Sequence, residues 1–270
     1  MHNINMVSLV YMVAGLSSRF GGKIKQFAQV GPNNETLIEI SLNQALQSPF
    51  NNIVFIVGDK TEQLFKEKFG NEYNGIPIKY VKQSFDPAVR DKPWGTCDAV
   101  VTAKDVVDNY FVVCNGDDLY GMSTFKILYD WTEWNSIPAT IGYKLDDVLP
   151  KTGSVNRGVF YTDENNFLTE IKETIGIERN VSNLDLETLV SMNMFCLTKN
   201  ELDLLETQLI KFKENHTNDR KTECYLPVEL SNLLQAGKTK IKILLAQDKW
   251  IGITNPEDEE IVKDFIKRWY

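Results

Sequence analysis

The chain has 270 residues, 43% of them hydrophobic, and a formal charge of −8. That length and apolar content support a sizeable core, and the acidic balance argues against a nucleic-acid surface built on phosphate contacts. No run approaches the roughly 18 apolar residues of a membrane-spanning helix, and no basic region with a long apolar segment opens the chain, so the expectation is a cytoplasmic protein with neither nucleic acid nor membrane as partner.

The first strand is expected at Val7–Val13 and opens into a loop holding Gly15, Ser17, Ser18, Arg19, Gly21 and Gly22, with Lys25 directly after. Glycines let backbone N–H groups turn toward a ligand, and Arg19 and Lys25 place two cations where a polyphosphate would lie. The loop matches neither Gly-Lys-Ser/Thr opening a helix nor Gly-x-Gly-x-x-Gly. Alone it suits a nucleoside triphosphate or an ordinary strand-to-helix turn.

Helices at Thr36–Gln47 and Thr61–Phe69 then alternate with strands at Ile53–Val57 and Ile78–Val81. Pro93-Trp94-Gly95-Thr96 precedes a helix expected over Thr96–Val107. Gly95 would admit a flat ligand to the backbone, and Thr96 would cap the helix or donate to that ligand. The strand Phe111–Cys114 runs into Asn115-Gly116-Asp117-Asp118. Two carboxylates at a strand end suit a hard cation such as Mg²⁺, although Gly-Asp-Asp is also a common turn. With the first loop at a neighbouring strand end, the metal reading gains weight, one aspartate facing the site and the other supporting it.

A helix at Ser123–Trp134, with Trp131 and Trp134 read as packing, leads to a strand at Ala139–Tyr143. Strands at Val155–Tyr161, Phe167–Glu173 and Val190–Leu197 follow through short connections, which suggests antiparallel pairing. Helices at Asn200–Glu214 and Pro227–Gln235, a strand at Ile241–Ala246 and a helix at Pro256–Tyr270 complete the chain. The last helix is expected to dock through Ile261, Phe265 and Trp269, a homo-oligomer contact being the alternative. With no linker rich enough to divide it, residues 1–270 form one domain: an α/β, Rossmann-like, mixed and mainly parallel sheet flanked by helices, with a small antiparallel extension. The four cysteines Cys97, Cys114, Cys196 and Cys224 lack Cys-x-x-Cys spacing and are expected as buried free thiols. His2 and His216 sit in polar surroundings, which argues against histidine chemistry.

Taken together, AGLSSRFGGKIKQ, PWGTCDAV and NGDDLYG, with the weaker GSVNRGV, EIKET, SMNMF and WIGITNPED, resemble the sugar-1-phosphate nucleotidyltransferases in order and spacing from Val7 to Asp258. The resemblance implies the nucleotide-diphospho-sugar transferase type of fold and Mg²⁺-dependent transfer of a nucleoside monophosphate, UTP favoured, to a hexose or N-acetylhexosamine 1-phosphate with release of pyrophosphate. Ala14, Gly15, Ser17 and Ser18 would hold the triphosphate, Arg19 the departing phosphates and Lys25 the phosphates at the reacting centre. Asp117 would ligate Mg²⁺. Gln83, Gly95 and Thr96 would line the base and ribose pocket, and Gly158, Glu173 and Asn193 would contact the sugar.

The family's Glu-Lys-Pro is Glu173-Thr174-Ile175 here, so a lysine expected near the sugar phosphate is missing, and Lys172 should point to the other side of its strand. A second metal aspartate expected at 252 is Gly252, with Asp248 the nearby candidate. Two other functions share the scaffold: a cytidylyltransferase acting on a phosphate such as phosphocholine, and a catalytically silent nucleotide-binding regulator.

Overall fold

A computed structural model describes residues 6–15, 24–150, 153–179, 183–254 and 256–269. In chain order the elements are β1 (Val7–Met12), α1 (Leu37–Ala45), β2 (Asn52–Val57), α2 (Glu62–Phe69), β3 (Glu72–Tyr73), β4 (Ile76–Lys82) and α3 (Thr96–Val101), then β5 (Tyr110–Asn115), β6 (Asp118–Leu119), α4 (Met122–Trp134), β7 (Ala139–Lys144), α5 (Leu145–Val148) and β8 (Val155–Thr162). They end with β9 (Leu168–Ile177), β10 (Leu189–Thr198), α6 (Lys199–Asn215), α7 (Leu226–Gln235), β11 (Lys242–Leu245), β12 (Ile251–Gly252) and α8 (Asp258–Trp269).

The main sheet runs β11-β7-β10-β5-β1-β2-β4-β3, and the hairpin β8–β9 branches from β10. Pairings β5–β1, β1–β2, β2–β4 and β11–β7 are parallel, whereas β10 is antiparallel to β5, β7 and β8. The mixed, mainly parallel sheet with an antiparallel extension is therefore the observed architecture. Every residue of β2 is buried, as befits a central strand covered on both faces. One apolar layer joins Leu9, Phe55, Phe65 and Phe125, and the other joins Val10, Val54, Phe111 and Leu230. Thr36 with Glu39 and Thr198 with Glu201 form capping boxes that start α1 and α6.

The strand order reverses beside β1, whose neighbours are the following strand β2 and the later strand β5. Crevices outside the carboxyl ends of such strands receive ligands in open α/β sheets. Here that crevice lies between the segment leaving Met12 and the one leaving Asn115.

Three expectations need correcting. The helix foreseen to Val107 ends at Val101, because Thr102 turns its hydroxyl back onto the Ala99 carbonyl at 2.6 Å, a competition with helical hydrogen bonding that residues of this kind favour. Asp118 and Leu119, for which no strand was expected, form a short strand antiparallel to Ile251–Gly252. α8 docks through Val262 and Ile266, while Ile261 and Trp269 are exposed; the helical spacing was right and its phase wrong. Trp131 packs on the core and hydrogen-bonds the Ile137 carbonyl, but Trp134 is exposed. All four cysteines are buried and free.

Candidate active site

β1 and β5 end side by side. The Gly116 N–H donates to the Met12 carbonyl at 3.2 Å, and a side chain at 116 would run into Val13. This closeness places Asp117 beside the segment that returns from the glycine-rich loop. Lys25 opens a single 3₁₀ turn, Lys25–Phe27, and its Nζ forms an ion pair with Asp117 Oδ2, both side chains being 20% exposed. Ala14 and Gly15 follow β1, and among the described residues nothing lies within 4 Å of a Cβ placed at Gly15. Ser17, Ser18 and Arg19 lie outside the described residues.

Asp118 is buried behind Asp117. Its Oδ2 accepts from Asn115 Nδ2 at 2.9 Å and from the Tyr120 hydroxyl at 3.2 Å. Burial, reinforced by the charge of Asp117, pushes its carboxyl up from 3.8 to about 7; the Asn115 hydrogen bond and Lys25 oppose the shift. Between about pH 4 and 7 the native chain keeps a proton that the unfolded chain has released, so this group's contribution to stability falls as pH rises through that window. Asp118→Asn has no proton to lose. In metal-free buffer at pH 8 it should melt above the parent by roughly 1.4 kcal/mol or more, about 3 °C, with the gap narrowing toward pH 4. An equal gap at both pH values would show that the carboxyl is not shifted.

Gly252 lies opposite Asp118 in the β6–β12 pair, and a Cβ at 252 would overlap Asp118 Oδ1. The place where the resemblance expects a second aspartate is thus filled by the Asp118 carboxylate. Asp248 is placed elsewhere. Its Oδ2 accepts from the Ser123 and Thr124 N–H groups at 2.6 and 3.1 Å, which satisfies free donors at the start of α4. The expected metal role at Asp248 is corrected accordingly: a carboxylate held on a helix N-terminus, and absent from the cavity that Asp117 lines, serves as a cap. Asp248→Ala should lower stability by about 0.5–2 kcal/mol and leave kcat within a few-fold; a hundredfold loss would reinstate it as a ligand.

Asp117 forms part of the wall of a cavity of about 430 Å³ that Gly158, Glu173 and Asn193 also line. Three residues expected at the sugar therefore share one enclosure with the residue expected at the metal. Asn193 has φ +56° within the irregular stretch of β10 between Ser191 and Phe195. Arg157 and Trp250, not anticipated from the sequence, face the same space. Arg157 donates to the Asn156 and Val148 carbonyls at 3.0 and 3.2 Å, and its guanidinium lies 5.5 Å from the centre of the Trp250 ring.

The expected base pocket is braced from within. Gln83 is buried, and its Nε2 donates to the Gly95 carbonyl at 2.9 Å and to Asp98 Oδ2 at 2.8 Å. Both partners are acceptors, so the amide orientation is fixed by the network. Asp98 is also held by Lys213 at 2.6 Å. The Thr96 hydroxyl accepts from the Leu226 N–H at 2.9 Å, which ties α3 to the start of α7. Gly95, the N-cap of α3, has φ +98°, and a Cβ there would stand 2.6 Å from the Cys224 carbonyl oxygen. Its glycine is required by the protein's own backbone, whatever a ligand asks of it.

A model of the nucleotidyl transferase family matches residues 22–218, which include Lys25, Asp117 and the cavity wall at Gly158, Glu173 and Asn193. The chain belongs to the nucleotidyl transferase family. No curated protein sequence matches it. Among solved structures, this transferase is similar to the inositol-1-phosphate CTP transferase of T. maritima, with a TM-score of 0.68 at 16% identity over 99% of this chain and 98% of that one. A Bacillus anthracis protein described as a glucose-1-phosphate thymidylyltransferase gives 0.70 at 13% identity over 97% and 95%. A UDP-glucose pyrophosphorylase solved with UDP-glucose gives 0.67 at 15% identity over 97% and 99%. These likenesses establish the nucleotide-diphospho-sugar transferase fold. Among the described residues of the transferase, no helix is long and apolar enough to cross a membrane.

Proposed function

We propose that this transferase acts in the cytoplasm, moving a nucleoside monophosphate from a nucleoside triphosphate, UTP favoured, to a sugar-1-phosphate with release of pyrophosphate. The observation that carries the reading is the Lys25–Asp117 ion pair. It joins the returning end of the glycine-rich loop to the wall of the cavity holding Gly158, Glu173 and Asn193. Within this pair the two charges neutralise each other. A triphosphate bound with its metal offers Lys25 an anion and Asp117 a cation, so each partner is replaced by a better one.

The donor set suits Mg²⁺ brought in by substrate. Among the described residues no group of three or more His, Cys, Asp or Glu side chains is arranged for a metal. Mg²⁺ keeps several waters and commonly takes one or two carboxylates plus phosphate oxygens, which is what Asp117, backed by Asp118, provides. When bound, the ion would offset phosphate charge at the reacting centre. The chain's own part is positioning and charge neutralisation. Ala14, Gly15, Ser17 and Ser18 offer backbone N–H groups, Arg19 steadies the departing phosphates and Lys25 meets the phosphates about the transferred phosphorus. Gly158, Glu173 and Asn193 orient the acceptor so that its phosphate oxygen attacks in line.

A second reading, transfer from CTP to a non-sugar phosphate, draws support from the likeness to an inositol-1-phosphate CTP transferase, and Gln83 accommodates either base. With Nε2 occupied by Gly95 and Asp98, Oε1 is what Gln83 retains for a base. An acceptor there is met by N3–H of uracil or by the exocyclic amino group of cytosine. A pyrophosphate-release assay with MgCl₂, four triphosphates (UTP, CTP, dTTP, GTP) and the acceptors glucose 1-phosphate, N-acetylglucosamine 1-phosphate and phosphocholine separates these readings. The first predicts release with UTP and a sugar-1-phosphate. Release only with CTP and phosphocholine establishes the second, and none with any pair overturns both.

A further inference from the structure

We propose that Arg157 is the residue that grips the phosphate of the acceptor substrate, an assignment that rests on the transferase reading above. Among the described residues lining the cavity, Arg157 is the sole cation, set among Asp117, Asp118 and Glu173. A second anionic substrate entering that acidic enclosure needs a positive group to receive it. The Arg157 guanidinium has one hydrogen bond from Nη1 and one from Nη2, both to backbone carbonyls. No carboxylate among the described residues stands within ion-pair distance of it. Among the described residues its Nε–H is buried and has no acceptor, and the same holds for Trp250 Nε1–H on the same cavity.

Two shielded donors without acceptors, one on a planar cation, call for a ligand rich in acceptors. A phosphate monoester fits that description, because it offers only acceptors when ionised and matches the guanidinium edge with two parallel hydrogen bonds. The ring of Trp250 supports the guanidinium from one side and limits its swing. Strand register adds an independent argument. Arg157 lies directly opposite Thr174 in the β8–β9 pair, and directly opposed residues of an antiparallel pair project from the same face. Thr174 stands where the resemblance expects a lysine and is not part of the cavity lining; Arg157, across from it on the neighbouring strand, is, so the cavity has its cation from β8. Lys172, the nearest basic residue on β9, is exposed and does not line the cavity.

The test is a steady-state comparison of the parent with Arg157→Met, Arg157→Lys and Trp250→Phe, using the triphosphates and three acceptors of the assay above. Arg157→Met should raise the KM for the acceptor by at least tenfold and leave the KM for the triphosphate within threefold. Arg157→Lys should recover part of the loss, since it keeps the charge and loses the fork. Trp250→Phe, which removes one donor and keeps the ring, should raise the acceptor KM by a smaller factor. Should Arg157→Met fail to fold, Arg157→Lys carries the comparison, because the loss of bidentate contact alone predicts a weaker acceptor. If the parent turns over and the Arg157 variants keep its acceptor KM, this assignment falls and the transferase reading stands. If the parent turns over with no acceptor, both fall together.

Discussion

Lys25→Met should lower the rate of pyrophosphate release by a hundredfold to a thousandfold while the chain remains folded. The magnitude is that of losing one preorganised charge at a reacting centre, about 2.7–4 kcal/mol. Lys25 meets Asp117 at the only place where the returning loop and the end of β5 touch through opposite charges among the described residues, and the described wall of the adjoining cavity carries one lysine or arginine, Arg157. The structural contribution of the pair is small by comparison. Both side chains are partly exposed, and ion pairs in such settings are worth about 0–1 kcal/mol, so the melting temperature should move by no more than ~4 °C. Asp117→Asn should give a rate loss of the same order. The charge-swapped double variant, Lys25→Asp with Asp117→Lys, restores an ion pair but puts a carboxylate where phosphate must lie; it should melt like the parent and remain inactive. Recovery of turnover in the swap would assign the pair to structure alone.

Gly95→Ala should destabilise the fold more than Asp248→Ala or Lys25→Met. At φ +98° and ψ −171° the backbone occupies a region that is nearly closed to residues with a Cβ, a strain of about 1–3 kcal/mol. The added methyl would also stand 2.6 Å from the Cys224 carbonyl oxygen and 3.0 Å from the Cys224 nitrogen. Neither atom can yield easily, because Cys97 N–H donates to that oxygen at 3.0 Å and the Cys224 N–H donates to Trp94 at 2.7 Å. A combined loss of ~3 kcal/mol or more corresponds to roughly 6–12 °C, read by calorimetry or circular dichroism. If Gly95 served only to let a base approach, the variant would melt like the parent and show weaker nucleotide binding alone.

The architecture was legible because strands and helices differ in period, and because buried parallel strands such as Ile53–Val57 read as unbroken apolar runs. The site was legible wherever a residue's role follows from its place at a strand end. Asp117 belongs to that group, and Lys25 follows from its place after the glycine-rich loop; Gly158, Glu173 and Asn193 lie within strands and came from the resemblance alone, and the fold gathers them with Asp117 around one cavity.

What the sequence hid depends on contacts between distant segments. The lock on Gln83 needs Asp98 and Gly95, supplied by the start of α3. The function of Asp248 as a cap needs the N-terminus of α4, more than a hundred residues earlier. That Asp118 fills the space of a side chain at 252 needs the β6–β12 pairing, two strands too short to announce themselves. The place of Arg157 follows from the register of β8 against β9, which no local pattern encodes.

The central claim is that the glycine-rich loop and Asp117 face each other across one triphosphate site. A crystal structure with a non-hydrolysable UTP analogue and MgCl₂ tests it most directly. The account predicts three phosphates lying between Gly15 and Lys25, a metal against Asp117, and the Lys25–Asp117 pair opened by the ligand. Phosphates bound elsewhere on the surface, with Asp117 touching neither metal nor nucleotide, would contradict it.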